Sequence, residues 1–305
     1  MSLVNKHIIS TIILGLVISM CLSSCNENSQ GNYTVINDTS IIDVNKKIVA
    51  AENIIFYVPS PIETASLLKE AGAKYNTILL NPPNNISKYA TVPALTLNLG
   101  VYGTDLAFAS IFDQRADIIT YMNCTKKLAN VLTISSAFDA SKNKRLERNM
   151  NNRDSVLSII TDAYWDCDAL FQENNQPHAS SLMIAGGWIE GLYLACKITE
   201  NTNNNAVRIR IVEQRSSLDK LILLLEKQNH PDSQKIANEL KKIKLLYDKL
   251  PNPADNKIIV STDNAAGVTT IGDDIETAKT NIHSLIITKI INQVKITRNN
   301  IINDY

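Results

Sequence analysis

The sequence predicts a mainly α-helical protein, a multi-helix bundle with one small β-hairpin. Over most of residues 60–250, apolar side chains recur at steps of three and four, the spacing of one helix face. Most of these apolar runs begin or end at a capping residue, a glycine or a proline, as helices do. Only residues 257–272 have the texture of paired strands, with two β-branched runs around an Asn-Ala-Ala-Gly turn. We therefore expect about nine helices in one domain, residues 43–305, with the hairpin near its end.

Residues 1–24 have the organisation of a secretory signal. Lys6 supplies the positive start, and residues 8–20 form an uncharged apolar run that is too short to span a bilayer. The segment ends in Leu-Ser-Ser before Cys25, which resembles the lipobox of bacterial lipoproteins. The resemblance implies cleavage before Cys25 and attachment of diacylglycerol and a further acyl chain, such as palmitate, which together anchor a protein stably. The alternative is an apolar N-terminal helix that carries a cysteine by chance.

Residues 25–42 are predicted to be the lipidated cysteine and a flexible tether, because the polar run after Cys25 has no apolar period. Asn26 follows the cysteine, where an Asp would by resemblance retain an enteric lipoprotein at the inner membrane. The acidic cluster that directs some Bacteroidota lipoproteins to the cell surface is not evident. We therefore expect a protein anchored by lipid to the outer membrane, on its periplasmic face.

The first helix of the domain is predicted over residues 62–71. Ser60 at the N-cap, Pro61 at the first helical position and Glu63 two residues later form a capping box. Gly72 ends the helix, as glycine commonly does.

Two strongly apolar helical segments are predicted to lie at the centre of the bundle. Residues 86–132 read as helical with a break near Asp113, and their middle part, residues 92–112, is apolar on all sides. After a helix over residues 153–172, a second strongly apolar helix is predicted over residues 179–198.

Glycines inside both apolar segments predict that the two helices touch. Glycine lowers helix stability by roughly 1 kcal/mol, so close packing is a physical reason for Gly100 and Gly103, and for Gly187 and Gly191. We expect the contact near Gly103 and Gly191.

The last part of the domain is predicted to contain a helical hairpin and one long helix. Apolar residues recur at steps of three and four over residues 207–225 and again over 236–250, separated by a turn at 229–232. After the candidate β-hairpin, the final helix is predicted from Asp273 or Asp274 to about residue 300.

Charge and cysteine content limit the classes of partner. Loss of Lys6 with the signal leaves 29 basic against 30 acidic side chains, so nucleic acid is not an expected partner. The three remaining cysteines form no C-x-x-C pair. We interpret them as buried thiols, although one disulfide with a leftover thiol is the alternative in an oxidising compartment. They are Cys124, Cys167 and Cys196.

No motif for a cofactor, a metal or a catalytic centre is present, so we expect no cofactor and assign no catalytic residue. The sequence has no P-loop, dinucleotide-binding or nucleophile-elbow glycine pattern. His178, His230 and His283 lie in separate segments without metal-ligand spacing. We interpret these histidines as solvated or capping residues.

The candidate site is a pair of acids inside the two apolar helices. Asp105 and Glu190 need partners if they are buried, because an unpaired buried carboxylate is costly. With Tyr102, Trp188 and Tyr193 they could line a polar cleft. The alternatives are that each acid reaches the surface of the bundle or belongs to a structural network.

The runs YNTILLNP at 75–82 and LNLGVYGTDL at 97–106 resemble uncharacterised helical lipoproteins of Bacteroidota. The resemblance implies a helical, membrane-anchored body and no particular activity. Imelysin-like lipoproteins are also helical, but their His-x-x-Glu signature is missing, and the sugar-binding SusD-like lipoproteins are much longer. We expect a non-enzymatic binding or scaffold protein whose partner is an envelope protein or a small ligand. The alternative is a ligand-binding or metal-dependent periplasmic enzyme that uses the acids among the aromatics.

Overall fold

A computed structural model describes residues 58–202, 204–250 and 273–303, all within one compact unit, residues 47–305. These residues form nine α-helices and three short 3-10 helices. The α-helices are α1 Pro61–Glu70, α2 Val92–Ile111, α3 Arg115–Val131, α4 Ala140–Asn149, α5 Arg153–Glu173, α6 Pro177–Thr202, α7 Asn205–Lys227, α8 Pro231–Tyr247 and α9 Asp273–Asn303. The 3-10 helices are Thr77–Leu79, Pro83–Lys88 and Ser135–Phe138.

The mainly α-helical class is confirmed, and no strand occurs in the described ranges. The β-hairpin predicted at 257–272 lies outside the described residues. So do the predicted signal peptide at 1–24, the tether at 25–42 with Cys25, and the first residues of the predicted domain, 43–57.

Local capping chemistry sets the helix boundaries that the sequence predicted. Ser60 and Glu63 form a reciprocal capping box, with the Ser60 amide donating to Glu63 Oε2 at 2.7 Å and the Glu63 amide donating to Ser60 Oγ at 3.3 Å. Asp113, at φ 58°, separates α2 from α3 where the break was predicted. Helix α4 was not predicted, because its one buried side chain, Leu146, gives the sequence no apolar period there.

Helices α2 and α6 are the central elements, and both bury most of their residues. Helix α6 is long and apolar enough to cross a membrane, but 94% of its most apolar stretch is buried inside the fold. Its composition is therefore that of a core helix, which is apolar all round because protein surrounds it.

Helices α2 and α6 do touch, but not at the residues that the sequence predicted. A Cβ on Gly100 would lie 1.9 Å from the carbonyl oxygen of Met183, and a Cβ on Gly186 would lie 1.9 Å from that of Leu97. By contrast, a Cβ on Gly103 would meet no atom within 4 Å. Gly191 faces α1, where its Cβ would lie 2.6 Å from Thr64 Cγ2. The prediction of contact near Gly103 and Gly191 is therefore wrong. The α2–α6 contact centres on Gly100 with Met183 and Gly187, and three further residues rotate Gly103 by about 60° around the α2 axis, away from it.

Candidate functional site

Asp105 and Glu190, the acids singled out from the sequence, are both completely buried, on α2 and α6 respectively. The partner of Glu190 is Arg298 of α9, whose Nε donates to Oε2 at 2.8 Å and whose Nη2 donates to Oε1 at 3.0 Å. This two-bond arrangement matches the planar guanidinium to the planar carboxylate. Arg298 also lies over the ring of Tyr193, 4.3 Å from its centroid, which is a cation–π distance.

Sequence reasoning did not identify Arg298, although a signal for it existed. In the sequence of the last helix, isoleucine or valine recurs in steps of four at residues 282, 286, 290 and 294, and the next step reaches Arg298. A basic residue at an inward position is a natural partner for a buried acid elsewhere in the chain. The pattern could not indicate which acid, because Glu190 lies 108 residues away.

The environment of Asp105 favours the protonated form of its carboxyl group. Its Oδ2 accepts a hydrogen bond from the Asn81 backbone amide at 3.0 Å. Its Oδ1 is buried and, when the carboxyl group is ionised, has no hydrogen-bond partner. Burial, followed by the negative charge of Glu190, raises the pKa of Asp105 well above its usual value, and the opposing effects of Arg298 and the Asn81 amide are smaller. A proton on Asp105 lets it donate to Glu190, which removes the unsatisfied polar atom.

Arg298 keeps its charge in the same environment. Burial alone would lower its pKa, but the charge of Glu190 and the hydrogen bonds to it raise the pKa of Arg298 above its ordinary value. With Asp105 in its favoured neutral form, the Glu190 carboxylate and the Arg298 guanidinium cancel each other's charge. The group is therefore electrostatically balanced without any ligand.

A network of amides extends from this group and connects three segments. The side chain of Asn81 donates to Tyr89 Oη at 2.9 Å and to Asn98 Oδ1 at 3.4 Å. Asn98 in turn donates to the carbonyl oxygen of Ile301 at 3.1 Å. The segment before α2, helix α2 itself and the last turns of α9 are thus joined inside the core.

The three aromatic residues of the predicted cleft have different partners. Tyr102 is fully buried and donates its hydroxyl proton to the Pro82 carbonyl oxygen at 2.9 Å. Trp188 donates its indole proton to Ser217 of α7 at 3.0 Å. Only Tyr193 joins the two acids, through Arg298. The structure therefore brings Asp105, Glu190 and Tyr193 together and turns Tyr102 and Trp188 toward other partners.

The other candidate groups occupy separate positions. His178 and His230 stack with ring centroids 3.9 Å apart, and His230 caps α8 by accepting the Asp232 amide proton on Nδ1 at 3.3 Å. Within the described residues, no group of three or more His, Cys, Asp or Glu side chains could hold a metal ion. The side chain of His283 lies outside the described part.

All three cysteines of the described helices are buried free thiols. Burial raises the pKa of Cys124 to about 11 and that of Cys167 to about 12, so these two thiols are protonated at neutral pH. Burial likewise raises the pKa of Cys196.

Comparison of this chain with protein-family models, with curated proteins and with solved structures gives no match.

Proposed function

We propose that this chain is a lipid-anchored lipoprotein of the cell envelope whose helical body is a non-enzymatic binding or scaffold protein. The non-enzymatic role of the helical body rests on one observation. Asp105 and Glu190, the acids that an enzyme would have to use, are fully buried, and Arg298 neutralises Glu190. A catalytic carboxylate has to reach a substrate in a cleft, with a pKa suited to exchanging protons. Asp105 and Glu190 instead contact groups of their own chain.

In this proposal the buried group has a structural task. Removing one partner of a buried ion pair typically costs roughly 3–5 kcal/mol, so the pair between Glu190 and Arg298 strongly favours one register of α9 against α6. The hydrogen bond from Asn98 to Ile301 supports the same register from α2. A rigid core of this kind suits a protein that presents a fixed surface to a partner.

The anchoring part of the proposal depends on the signal, the lipobox and Cys25. We propose cleavage before this cysteine, lipid attachment to it, and a position at the outer membrane facing the periplasm. The position at the outer membrane rests on Asn26 after the cysteine and on the absence of an evident acidic cluster.

Metabolic labelling with palmitate, followed by membrane fractionation, tests the anchor. Cys25→Ala is expected to abolish the label and to leave a soluble or uncleaved product, whereas Cys21→Ala, inside the predicted signal, is the matched control and should label normally. A fully processed Cys25→Ala protein that is retained on membranes like the parent would contradict the lipobox interpretation.

Crosslinking in intact envelopes tests the binding or scaffold role. The control keeps residues 1–42 and replaces residues 43–305 with an unrelated domain, so that both chains are anchored identically. We expect a reproducible crosslinked partner or a co-purifying ligand only when the helical body is present. If neither is recovered with the intact chain, the proposed role is wrong.

A further inference from the structure

A polar groove lies between the 3-10 helix Pro83–Lys88 and helix α3. It has a volume of about 440 Å³, within the range of roughly 300–1,000 Å³ that is usual for small-ligand sites. Neither Asp105 nor Glu190 lines it, so the groove is separate from the buried ion pair. One wall consists of Pro83, Asn84, Ile86 and Ser87, and the other of Thr120, Asn123, Cys124 and Lys127.

The α3 wall is one face of the helix. Its four residues are spaced as i, i+3, i+4 and i+7, which places them on the same side of an α-helix. Asn123 and Lys127 are exposed, whereas Cys124 is buried. Burial raises the pKa of Cys124 to about 11, and the positive charge of Lys127 opposes this effect. The ammonium group of Lys127 therefore lies close enough to this wall to act on it electrostatically.

The opposite wall is held in place by the core. Tyr102 donates its hydroxyl proton to the Pro82 carbonyl oxygen at 2.9 Å, and the Asn85 side chain donates to Asn81 Oδ1 at 2.8 Å. Asn81 belongs to the buried amide network. Both bonds lie close to Asn84 in the chain, so the backbone of this wall is positioned before a ligand binds. Positioning in advance lowers the entropy cost of binding.

Both walls offer hydrogen-bonding groups that the protein itself does not use. The side-chain amides of Asn84 and Asn123 make no hydrogen bond within the described residues, and each provides two donors and an acceptor oxygen. The Ser87 and Thr120 hydroxyls donate to backbone carbonyl oxygens at 3.0 and 2.9 Å, so they keep acceptor lone pairs. The groove therefore favours an occupant with neutral polar groups.

The charge of the groove limits the class of occupant further. Among the described residues that line it, Lys127 is the only charged one, and it has no ion pair within the described chain. A cation without an acid beside it favours an anion and disfavours a zwitterion, whose ammonium group would find no partner. A single ammonium group matches one carboxylate, whereas phosphate sites typically use arginine forks or helix N-termini.

We propose that the groove binds a small molecule that carries one carboxylate together with neutral hydroxyl or amide groups. Lys127 binds the carboxylate, while Asn84 and Asn123 bind the neutral groups from opposite walls. The inference deepens the proposed function, because it names a ligand class for the helical body. It rests on that body being a binding protein.

Ligand-detected NMR tests the inference on the soluble form that begins at Asn26, which keeps every described residue. The probes are glucuronate, whose neutral groups are hydroxyls, and N-acetylglycine, whose neutral group is an amide. Saturation transfer suits them, because ligands of this size in an open groove bind with dissociation constants on the order of 1 mM. Saturable binding of either acid supports the proposal and identifies the neutral group. Binding of neither acid overturns it.

A matched pair of lysine substitutions locates the binding. Lys127→Met removes the cation of the groove and is expected to weaken binding of the acid roughly tenfold or more. Lys126→Met makes the same change at the neighbouring residue of α3, which does not line the groove, and should leave binding unchanged. Far-UV circular dichroism establishes that both variants are folded. Equal binding by folded Lys127→Met and Lys126→Met overturns the assignment.

Uncharged ligands test the role of the carboxylate. Glucuronamide and N-acetylglycinamide keep the neutral groups of the two probes and replace the carboxylate by an amide. Each is expected to bind the parent protein roughly tenfold more weakly than its acid, and equally tight binding of acid and amide overturns the proposal. Failure here leaves the envelope crosslinking result unaffected, so it is distinguishable from failure of the proposed function.

Discussion

Replacing Gly100 with alanine tests the contact between the two central helices. The added Cβ would lie 1.9 Å from the Met183 carbonyl oxygen and 2.6 Å from the Gly187 amide nitrogen, where ordinary contact begins at 3.4 Å. Relief requires the backbones of α2 and α6 to move apart by roughly 1.5 Å. The atoms in the way are backbone, so no flexible side chain can turn aside.

The cost follows from overpacking in a close-packed core, typically about 1–3 kcal/mol and occasionally more. We expect the upper part of this range, because separating the helices also stretches the 3.0 Å hydrogen bond from Thr104 to the Gly187 carbonyl oxygen. Gly103→Ala is the matched control on the same helix. It meets no atom within 4 Å and should stabilise the protein by about 0.5–1 kcal/mol through the higher helix propensity of alanine.

Thermal and urea unfolding of the soluble form, followed by far-UV circular dichroism, measures the difference. Both variants gain the same helix propensity from Gly→Ala, so their difference in unfolding free energy is the overpacking cost alone, about 2–3 kcal/mol. Each kcal/mol corresponds to ~2–4 °C in Tm for a domain of this size. If Gly100→Ala unfolds at or above the temperature of Gly103→Ala, the close approach of α2 and α6 at Gly100 is wrong.

Three further predictions concern the buried charges and the histidine pair. Arg298→Met should lower the free energy of unfolding by roughly 3–5 kcal/mol by leaving Glu190 unpaired, and a urea midpoint equal to that of the parent would contradict the ion pair. Because the pKa of Asp105 is raised in the folded protein, the stability that Asp105 provides is full at acid pH and declines as pH rises above its pKa in the unfolded chain. Thermal melts from about pH 4 to 8 should therefore show the stability of Asp105→Asn increasing relative to that of the parent. A stability difference that does not change with pH would show that Asp105 is not protonated. Burial and the adjacent His230 lower the pKa of His178, so the stability it provides is present above its unfolded pKa and lost as pH falls. His178→Gln should therefore lose less stability than the parent between about pH 7 and 5, and parallel pH profiles would refute this.

The sequence by itself determined the elements whose signals are local. Ser60 and Glu63 lie three residues apart and define the start of α1 within one turn. The apolar sequences of α2 and α6 predicted that both are central, because a helix that is apolar on all sides needs apolar surroundings, which neighbouring helices supply in a bundle. Helix α4 was missed since it buries one side chain and has no such texture.

Only the tertiary structure decided which groups meet across the chain. The sequence indicated that two buried acids need partners, but Arg298 reaches Glu190 over 108 residues, and no local rule selects it. Likewise, glycine spacing predicted that α2 and α6 touch, whereas the rotation of each helix decided that Gly100, not Gly103, lies at the contact. Caps and apolar periods act within a few residues, so helix boundaries and buried helices could be predicted from the sequence. The choice of contact partners depends on how all helices pack at once, so it could not be predicted.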